Sequence, residues 1–130
     1  MNIEIIEIPK IEDTRGNIAV IENEVLPFEI KRVYYLFDVP SSASRGGHSH
    51  IDQLEFLVAL SGSFDVVLKD GNDTAKVTLN KPNKGLLIKT NTWRELENFS
   101  SGAVCLVLAS DIFKEEDYIR DYDDFLASRK

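Results

Sequence analysis

The chain alternates short runs of β-branched and other apolar residues with clusters of turn residues. Runs of this length and composition, bounded by glycine, proline, serine or asparagine, are typical of β-strands. The dipeptide Asp70-Gly71 is a strong hairpin signal between two of them. Because many short strands follow one another at regular spacing, the pattern predicts an all-β sandwich or barrel. The predicted strands cover residues 3–8, 17–22, 31–39, 54–60, 63–70, 75–79, 85–89 and 103–110.

The C-terminal segment follows a different pattern. Tyr118, Tyr122 and Phe125 recur at the spacing of one helical face. Acidic residues stand at the beginning of the segment, and the chain ends on basic residues up to Lys130, which is the favourable sense for a helix dipole. The pattern predicts a helix over about 115–128 that packs as a lid on the strands.

Composition and charge narrow the classes of protein to consider. A chain of 130 residues with 43% hydrophobic and 28% charged residues suits one globular domain, 1–130. A net charge of -7 argues against nucleic acid or an anionic membrane as a partner, although a few arginines are able to bind a small anion. We find no signal peptide and no apolar span, and the single Cys105 cannot form an internal disulfide. We therefore expect a cytoplasmic protein, with Cys105 as an inert core residue.

The stretch RGGHSH contains the only two histidines of the chain, His48 and His50. Side chains two positions apart on a strand project to the same face. Gly46 and Gly47 precede the pair, and small residues let the backbone turn tightly and approach another group closely. A single histidine on an apolar face is usually structural, but two on one face favour a functional pair. Imidazole titrates near neutral pH, so proton transfer is one such function.

Glu55 and Gly62 follow the histidines with a spacing that resembles the first signature of the cupin superfamily. In metal-binding cupins the two histidines and the glutamate are ligands, together with a histidine from a later signature. The stretch PNKGLLIKTNTWRELENFS has the shape of that later signature, but Arg94 stands where its histidine would be. Arginine stays cationic and does not ligate divalent metals, so we expect no metal. Iron or zinc on two histidines and one carboxylate is the alternative.

Six stretches together are similar to the sugar 3,4-ketoisomerases of the cupin superfamily, over residues from about 6 to 126. They are KRVYYLFDVP, RGGHSH, PNKGLLI, WRELENFS, GAVCLVLAS and DYIRDYDDFL. The resemblance implies a cupin jelly-roll barrel, also called a double-stranded β-helix, with a C-terminal helix. One departure is Ile51, where the family usually has a lysine.

The resemblance also implies an activity. Enzymes of this kind are isomerases that act on dTDP-4-keto-6-deoxyglucose, a thymidine diphosphate sugar also written with the prefix TDP. They move its keto group from C-4 to C-3 through an enediol, with no metal and no redox cofactor. The product is normally aminated by a later enzyme, giving 3-amino-3,6-dideoxy sugars for surface glycans. The resemblance further implies a homodimer, and it leaves the C-4 stereochemistry of the product open.

The reaction needs a base at carbon, a group that moves protons between oxygens, and support for the oxyanion. Our hypothesis is that His50 is the base at C-3 and His48 the partner acid and base, although the two roles are exchangeable. Arg45 and Arg94 are candidates to stabilise the enolate or to hold the diphosphate. The alternative for Arg94 is a structural pair with Glu55, which itself is a candidate to orient an imidazole.

Two further residues are predicted to bind substrate. Arg15 lies in DTRGN, a segment that resembles one in the dTDP-sugar 3,5-epimerases, and is a diphosphate candidate; the alternative is a surface turn arginine. Tyr35 is a candidate to line the pocket or stack on thymine, but Tyr34 and Tyr35 point to opposite faces of their strand. Trp93 is expected to pack rather than to stack on a base.

Three other functions compete with the ketoisomerase. The first is a metal-dependent cupin enzyme, the second a dTDP-sugar 3,5-epimerase, and the third a sugar-nucleotide binding module without catalysis. The absence of a third histidine opposes the first of these. The WREL and DYIRDYD stretches favour the ketoisomerase over the epimerase.

Overall fold

The structure is a computed structural model that describes residues 1–129, so the basic end of the predicted helix at Lys130 lies outside the described residues. Its elements follow the runs of β-branched and aromatic residues, which pack well on a pleated surface. The strands are β1 (Glu4–Glu7), β2 (Lys10–Ile11), β3 (Ile18–Ala19), β4 (Arg32–Leu36), β5 (Arg45–His50), β6 (Glu55–Ser61), β7 (Phe64–Lys69), β8 (Thr74–Leu79), β9 (Lys84–Ile88), β10 (Trp93–Glu97), β11 (Val104–Ala109) and β12 (Tyr118–Ile119), followed by helix α1 (Tyr122–Ser128).

The strands form two five-stranded sheets and one small hairpin. The first sheet has the order β1-β9-β6-β11-β4, the second has the order β12-β5-β10-β7-β8, and β2 pairs with β3. All of these pairings are antiparallel. Because sequence neighbours such as β5 and β6 lie in different sheets, the chain crosses repeatedly between the two layers, as expected for a jelly roll.

The main core lies between the two sheets. Its buried residues come from both layers, for example Leu57 and Val107 of the first sheet and Phe64 and Val66 of the second. A second cluster, which includes Phe56 and Leu108, lies on the outer side of the first sheet, where the segment around residues 21–28 packs over it. Burying each such side chain contributes about 1.5–3 kcal/mol, so both faces of the central strands are held.

Two sequence predictions about secondary structure are wrong. Of the strand predicted over 17–22, only Ile18–Ala19 pairs, and its partner Lys10–Ile11 was not predicted. Ile11 and Ile18 are 57% and 58% exposed, so these side chains do not pack on the core and do not stabilise a longer hairpin. The predicted helix over 115–128 begins only at Tyr122.

The first half of that predicted helix has another conformation. Glu115–Asp117 forms a 3₁₀ turn, and Tyr118–Ile119 pairs with β5 as a strand. This pairing satisfies backbone groups that a longer helix would have bonded internally. Asp121 then caps α1, because its side chain accepts a hydrogen bond of 3.0 Å from a backbone N–H in the first helical turn. No helix among residues 1–129 has the length and hydrophobicity to span a bilayer.

Gly46 gives β5 the shape that the site requires. Its φ of +79° lies in the left-handed region, which favours glycine. The register between β5 and β10 shifts at this point, between the pairs Arg94↔His48 and Leu96↔Arg45. The irregularity is a β-bulge, which locally re-aims side chains, and it separates Arg45 from the histidine pair along the cavity wall.

Candidate active site

A cavity of about 440 Å³ opens between the two sheets. Strands β4, β5, β6, β10, β11 and β12 contribute inward-facing side chains to its wall, because alternate residues of each strand point to the same side. The lining residues are Arg32, Val33, Tyr34, Leu36, Arg45, Gly46, His48, Glu55, Leu57, Arg94, Leu96, Val107, Tyr118 and Arg120.

The two histidines lie on β5 at different depths. His48 lines the cavity and is 9% exposed, whereas His50 is completely buried behind it. Their rings meet edge to face with centroids 4.8 Å apart, and both contact the ring of Tyr118, at 5.0 Å for His48 and 4.4 Å for His50. The pair therefore has one member that faces the cavity and one member that supports it from behind.

The side chains of the site converge on the carboxylate of Glu55. Its Oε1 forms an ion pair with Nη1 of Arg94 and lies 3.5 Å from Nε2 of His50 and 4.0 Å from Nε2 of His48. The hydroxyl of Tyr34 donates a 2.7 Å hydrogen bond to Oε2 of the same carboxylate. Glu55 and Arg94 are both almost fully buried, so their charges have compensating partners. The arrangement agrees with both alternatives for these two residues, since Glu55 pairs with Arg94 and also faces both imidazoles.

Asp117 is a buried member of the site that sequence reasoning missed. Its Oδ2 lies 2.8 Å from Nδ1 of His50, and its Oδ1 accepts a 2.7 Å hydrogen bond from the backbone N–H of Asp52. The pairing of β12 with β5 brings this carboxylate to the histidine across a long stretch of chain. The only signal in the sequence was that an acidic residue precedes Tyr118. Because a helix was predicted over this segment, Asp117 was interpreted as part of its first turn.

Burial and neighbouring charges set the protonation of the site. Burial lowers the pKa of His48 to about 3, and the positive charge of Arg94 acts in the same direction, so its imidazole is neutral at pH 7. Burial acts to raise the pKa of Glu55, but its contacts with His50, Arg94 and Tyr34 outweigh this and hold that pKa at about 2. Burial raises the pKa of Tyr34, with the Glu55 carboxylate adding to the effect, so the phenol stays protonated as a donor.

The cavity is positively charged although the whole chain carries a net charge of -7. Four arginines line it, and Glu55 is the one carboxylate among its lining residues. Arg32 is held by a 3.1 Å hydrogen bond from its Nη2 to the hydroxyl of Tyr118 and lies over the ring of Tyr34. Arg120 lies over the ring of Tyr118 and bonds Glu115 outside the cavity. Such a concentration of guanidinium groups is suited to an anionic ligand.

The structure brings most of the residues predicted from sequence together. His48, Glu55, Arg45 and Arg94 line the cavity, and His50 lies directly behind its wall. Arg32, Tyr118 and Arg120 also line it, and sequence reasoning did not single them out. The alternation of β4 was the signal for Arg32, because it is two positions from Tyr34 and shares its face.

Two predicted substrate-binding residues do not line the cavity. The side chain of Arg15 is 88% exposed and pairs with Asp13 in the turn between β2 and β3. Tyr35 is 60% exposed on the opposite face of β4 from Tyr34, which is the tyrosine that reaches the cavity. Their roles in binding substrate therefore remain predictions without support from the geometry of one chain.

Trp93 and Cys105 have the structural roles expected for them. Trp93 is buried, packs against Tyr122 and Phe125 of α1, and donates a 2.8 Å hydrogen bond to Glu95. Cys105 is fully buried in the main core, and burial raises the pKa of its thiol to about 12. A thiol with so high a pKa is a poor nucleophile.

The residues of the site do not fit a metal ion. Ligand atoms of His48, His50 and Glu55 lie within 4.8 Å of one another, which is the arrangement of a metal-binding cupin. However, the guanidinium of Arg94 pairs with Oε1 of Glu55, the oxygen on which both imidazoles converge. A divalent cation at this oxygen would have a fixed positive charge beside it and would lose a ligand to the ion pair.

Comparisons with known proteins identify the family of the chain. The family model described as "FdtA: WxcM-like, C-terminal" matches residues 1–130. A curated TDP-4-oxo-6-deoxy-alpha-D-glucose-3,4-oxoisomerase from Aneurinibacillus thermoaerophilus is 46% identical over 126 residues, which are 96% of this chain and 91% of the relative.

Solved structures give the same result. A 3,4-ketoisomerase from Helicobacter canadensis is 45% identical with a TM-score of 0.96, covering 99% of this chain and 98% of that one. A mutant 3,4-ketoisomerase from Thermoanaerobacterium thermosaccharolyticum, in complex with TDP-4-keto-6-deoxyglucose, is 39% identical with a TM-score of 0.96, covering 98% and 94%.

A more distant match concerns the epimerase alternative. A 3'-monoepimerase from Streptomyces bikiniensis is 15% identical with a TM-score of 0.78, and this likeness shows the fold alone. The predicted fold class, a cupin jelly roll with a C-terminal helix, is confirmed, and so is the resemblance to sugar 3,4-ketoisomerases. The chain belongs to the FdtA, WxcM-like family of sugar 3,4-ketoisomerases.

Proposed function

We propose that the chain is an isomerase that moves the keto group of TDP-4-keto-6-deoxyglucose from C-4 to C-3. The observation that carries the proposal is the cavity, in which a neutral histidine stands among four arginines in a chain of this family. The histidine supplies the base, and the arginines supply the charge that an anionic sugar nucleotide needs.

His48 is the group placed best to react with carbon. It faces the cavity, and its neutral imidazole at pH 7 is able to accept a proton, whereas His50 has no exposed surface. The sequence hypothesis named His50 as the base at C-3 but allowed the two roles to be exchanged. The difference in burial favours the exchange, with His48 as the base and His50 behind it. The imidazolium that forms on proton transfer is stabilised by Oε1 of Glu55, 4.0 Å away.

The reaction proceeds through an enediol. His48 removes the proton from C-3 while O-4 takes up a proton, which leaves hydroxyl groups on C-3 and C-4. O-3 then loses its proton and becomes the carbonyl oxygen as a proton returns to C-4, so the atoms balance without a redox partner. Tyr118 accepts a hydrogen bond from Arg32, and its own O–H remains available to donate to the oxyanion.

The diphosphate has several candidate partners in the cavity. Arg94 is engaged with Glu55 and is fully buried, so it holds the carboxylate rather than the phosphates. Arg45 and Arg120 are exposed at the cavity, and Arg32 is partly buried beside Tyr118. We assign the diphosphate to these three, because guanidinium groups bind phosphate oxygens in a bidentate manner.

The exposed side of β4 supports a homodimer. β4 is an edge strand of the first sheet, and Tyr35 on its outer side and Phe37 just beyond its end are 60% and 59% exposed. An exposed apolar edge of this kind is expected to be covered by another chain. Analytical ultracentrifugation of the wild type and of Tyr35→Glu tests this: we expect a dimer and a monomer, and a monomeric wild type would overturn it.

The setting of the reaction follows from its product and from the charge of the chain. A ketone at C-3 is the group that an aminating enzyme requires, so we place the reaction before an amination that gives a 3-amino-3,6-dideoxy sugar. The net charge of -7 supports the expectation that neither nucleic acid nor an anionic membrane is a partner. We place the enzyme in the cytoplasm.

Incubation with TDP-4-keto-6-deoxyglucose in deuterated water, read by NMR in the presence of a chelator, tests the function. We expect a 3-keto product with deuterium at C-4, whose coupling constant gives the stereochemistry at that carbon. Label at C-3 and C-5 with the keto group still at C-4 would mean an epimerase. Activity that appears only with added metal would contradict the interpretation of Arg94, and binding without exchange would mean a binding module.

A further inference from the structure

Asp117 is the most enclosed carboxylate of the site that the reaction outlined above does not use. It is 6% exposed and lies at the end of the 3₁₀ turn that precedes β12. Its Oδ2 lies 2.8 Å from Nδ1 of His50 and accepts a longer bond of 3.3 Å from the backbone N–H of Gln53. A buried carboxylate at hydrogen-bond distance from a buried imidazole fixes which ring nitrogen carries the hydrogen.

We propose that Asp117 is a positioning residue of the isomerisation, which holds His50 by Nδ1 so that Nε2 faces Glu55 and, across it, His48. The inference rests on the proposed function, because it concerns how the reacting histidine is supported. Asp117 does not touch the cavity, so it acts through His50 and not on the substrate.

The geometry explains why this orientation matters. With the hydrogen of Nδ1 donated to Asp117, Nε2 is the ring nitrogen that points away from Asp117, and it lies 3.5 Å from Oε1 of Glu55. The same oxygen is 4.0 Å from Nε2 of His48. Apart from this contact with Glu55, Nε2 of His50 has no hydrogen-bond partner among the described residues, so the shorter Asp117 contact at Nδ1 is the main restraint on the ring. The orientation of His50 beside the reacting His48 therefore depends on the contact with Asp117.

The competing explanation is that Asp117 only stabilises the loop before β6. Its Oδ1 accepts a hydrogen bond of 2.7 Å from the backbone N–H of Asp52, which is a purely structural contact. Asp117→Asn separates the two roles. The amide keeps an oxygen for the 2.7 Å loop contact with Asp52, loses only the longer 3.3 Å contact with Gln53, and presents an N–H₂ group to the histidine. Such a group donates to Nδ1 and so favours the tautomer with its hydrogen on Nε2.

The experiment uses the full chain labelled with ¹⁵N-histidine, which gives signals from only two imidazoles. We expect the wild type to show His50 with its hydrogen on Nδ1, and Asp117→Asn to shift that signal pattern toward hydrogen on Nε2. The His48→Gln variant assigns the spectrum by removing one ring. In the isomerase assay we expect Asp117→Asn to lower kcat by about 10- to 100-fold with little change in KM. Losses of this size are typical when a residue that orients a functional histidine, without contacting the substrate, is replaced.

Asp65→Asn is the matched control. Asp65 is also a buried carboxylate with two side-chain donors, Thr78 at 2.6 Å and Asn98 at 3.1 Å, but it lies outside the cavity. We expect it to lower the unfolding temperature while kcat stays near the wild-type value. A folded Asp117→Asn variant with wild-type kcat would overturn the proposal.

Two further results separate this proposal from the proposed function. If the wild-type spectrum shows His50 with hydrogen on Nε2 and a bare Nδ1, the positioning role is wrong whether or not any variant folds. If the wild type has no isomerase activity but shows the Nδ1 hydrogen, the function fails while the orientation of His50 stands.

Discussion

Glu55 of the first sheet and Arg94 of the second form a buried ion pair that bridges the two layers of the fold. Both side chains are only 2% exposed. The two imidazoles face the same carboxylate, and the ligand atoms of His48, His50 and Glu55 lie within 4.8 Å of one another. A fixed internal cation thus balances the charge of the glutamate, which leaves both imidazoles free for the proton transfer that we propose.

Removing one partner of this pair is expected to destabilise the fold. Glu55→Gln leaves the guanidinium of Arg94 buried without its counter-charge, which typically costs about 3–5 kcal/mol in the free energy of unfolding. Urea denaturation measures this change. The control is Glu97→Gln, which removes a surface pair with Lys76 and is expected to cost less than about 1 kcal/mol. Equal losses in the two variants would show that the pair contributes no more than a surface contact.

The depressed pKa of His48 predicts how stability depends on pH. Burial lowers that pKa to about 3, from an ordinary value of 6.5. Between pH 6.5 and 3 the unfolded chain therefore binds a proton at His48 that the folded chain excludes, so stability falls as the pH decreases. The slope from this group is at most about 1.4 kcal/mol per pH unit.

Urea denaturation at pH 7.5 and pH 5 checks this expectation. We expect the wild type to lose stability between these values and His48→Gln to lose clearly less, because glutamine does not titrate. The wild type and His48→Gln should both still lose the stability that depends on ionised carboxylates at lower pH. The same pH dependence in both proteins would exclude His48 as its source.

His48 is expected to be indispensable for the chemical step. His48→Gln should lower kcat on the order of 100-fold or more, while TDP binds as in the wild type, because the base is lost and the arginines remain. Steady-state kinetics and calorimetric titration with TDP measure the two quantities. Lys76→Gln, on β8 outside the cavity, is the control for kcat. If His50→Gln abolished turnover and His48→Gln did not, His50 and not His48 would be the base at C-3, as the sequence hypothesis first stated.

Arg32 is expected to contribute to nucleotide affinity. Arg32→Gln should weaken TDP binding by about 10- to 100-fold, the value of one hydrogen bond to a charged group. Lys76→Gln, on β8 away from the cavity, is the control. Arg15→Gln tests the sequence prediction separately: a loss of affinity there would mean that this exposed arginine reaches a bound nucleotide, for example across a subunit interface.

The depressed pKa of Glu55 leads to a prediction for acid unfolding. Its contacts hold the folded-state pKa at about 2, below its ordinary value of 4.5, so the stabilisation is present above pH 4.5 and is lost as the pH falls toward 2. We expect Glu55→Gln to flatten the acid limb of a pH titration followed by circular dichroism. An unchanged limb would mean that other carboxylates cause acid unfolding.

Most of the strands were predictable because their signals are local. Alternation and turn residues indicated β4, β6, β7 and β9, and the spacing of His48 and His50 put both on one face of a strand. Arg94 at the position of a metal-binding histidine was also visible, and it indicated chemistry without a metal. The helix was predicted too long, because a helical spacing of aromatic residues does not reveal that Tyr118 pairs with β5.

The sequence by itself determined the fold class, the histidine pair and the family, since strand periodicity and motif spacing are properties of neighbouring residues. Only the tertiary structure decided which side chains contact one another in the site. It placed Asp117 against His50 and Arg94 against Glu55, and it left Tyr35 and Arg15 outside the cavity. The physical reason is that burial, ion pairs and pKa shifts depend on groups brought together across two sheets, and no local pattern records those distances.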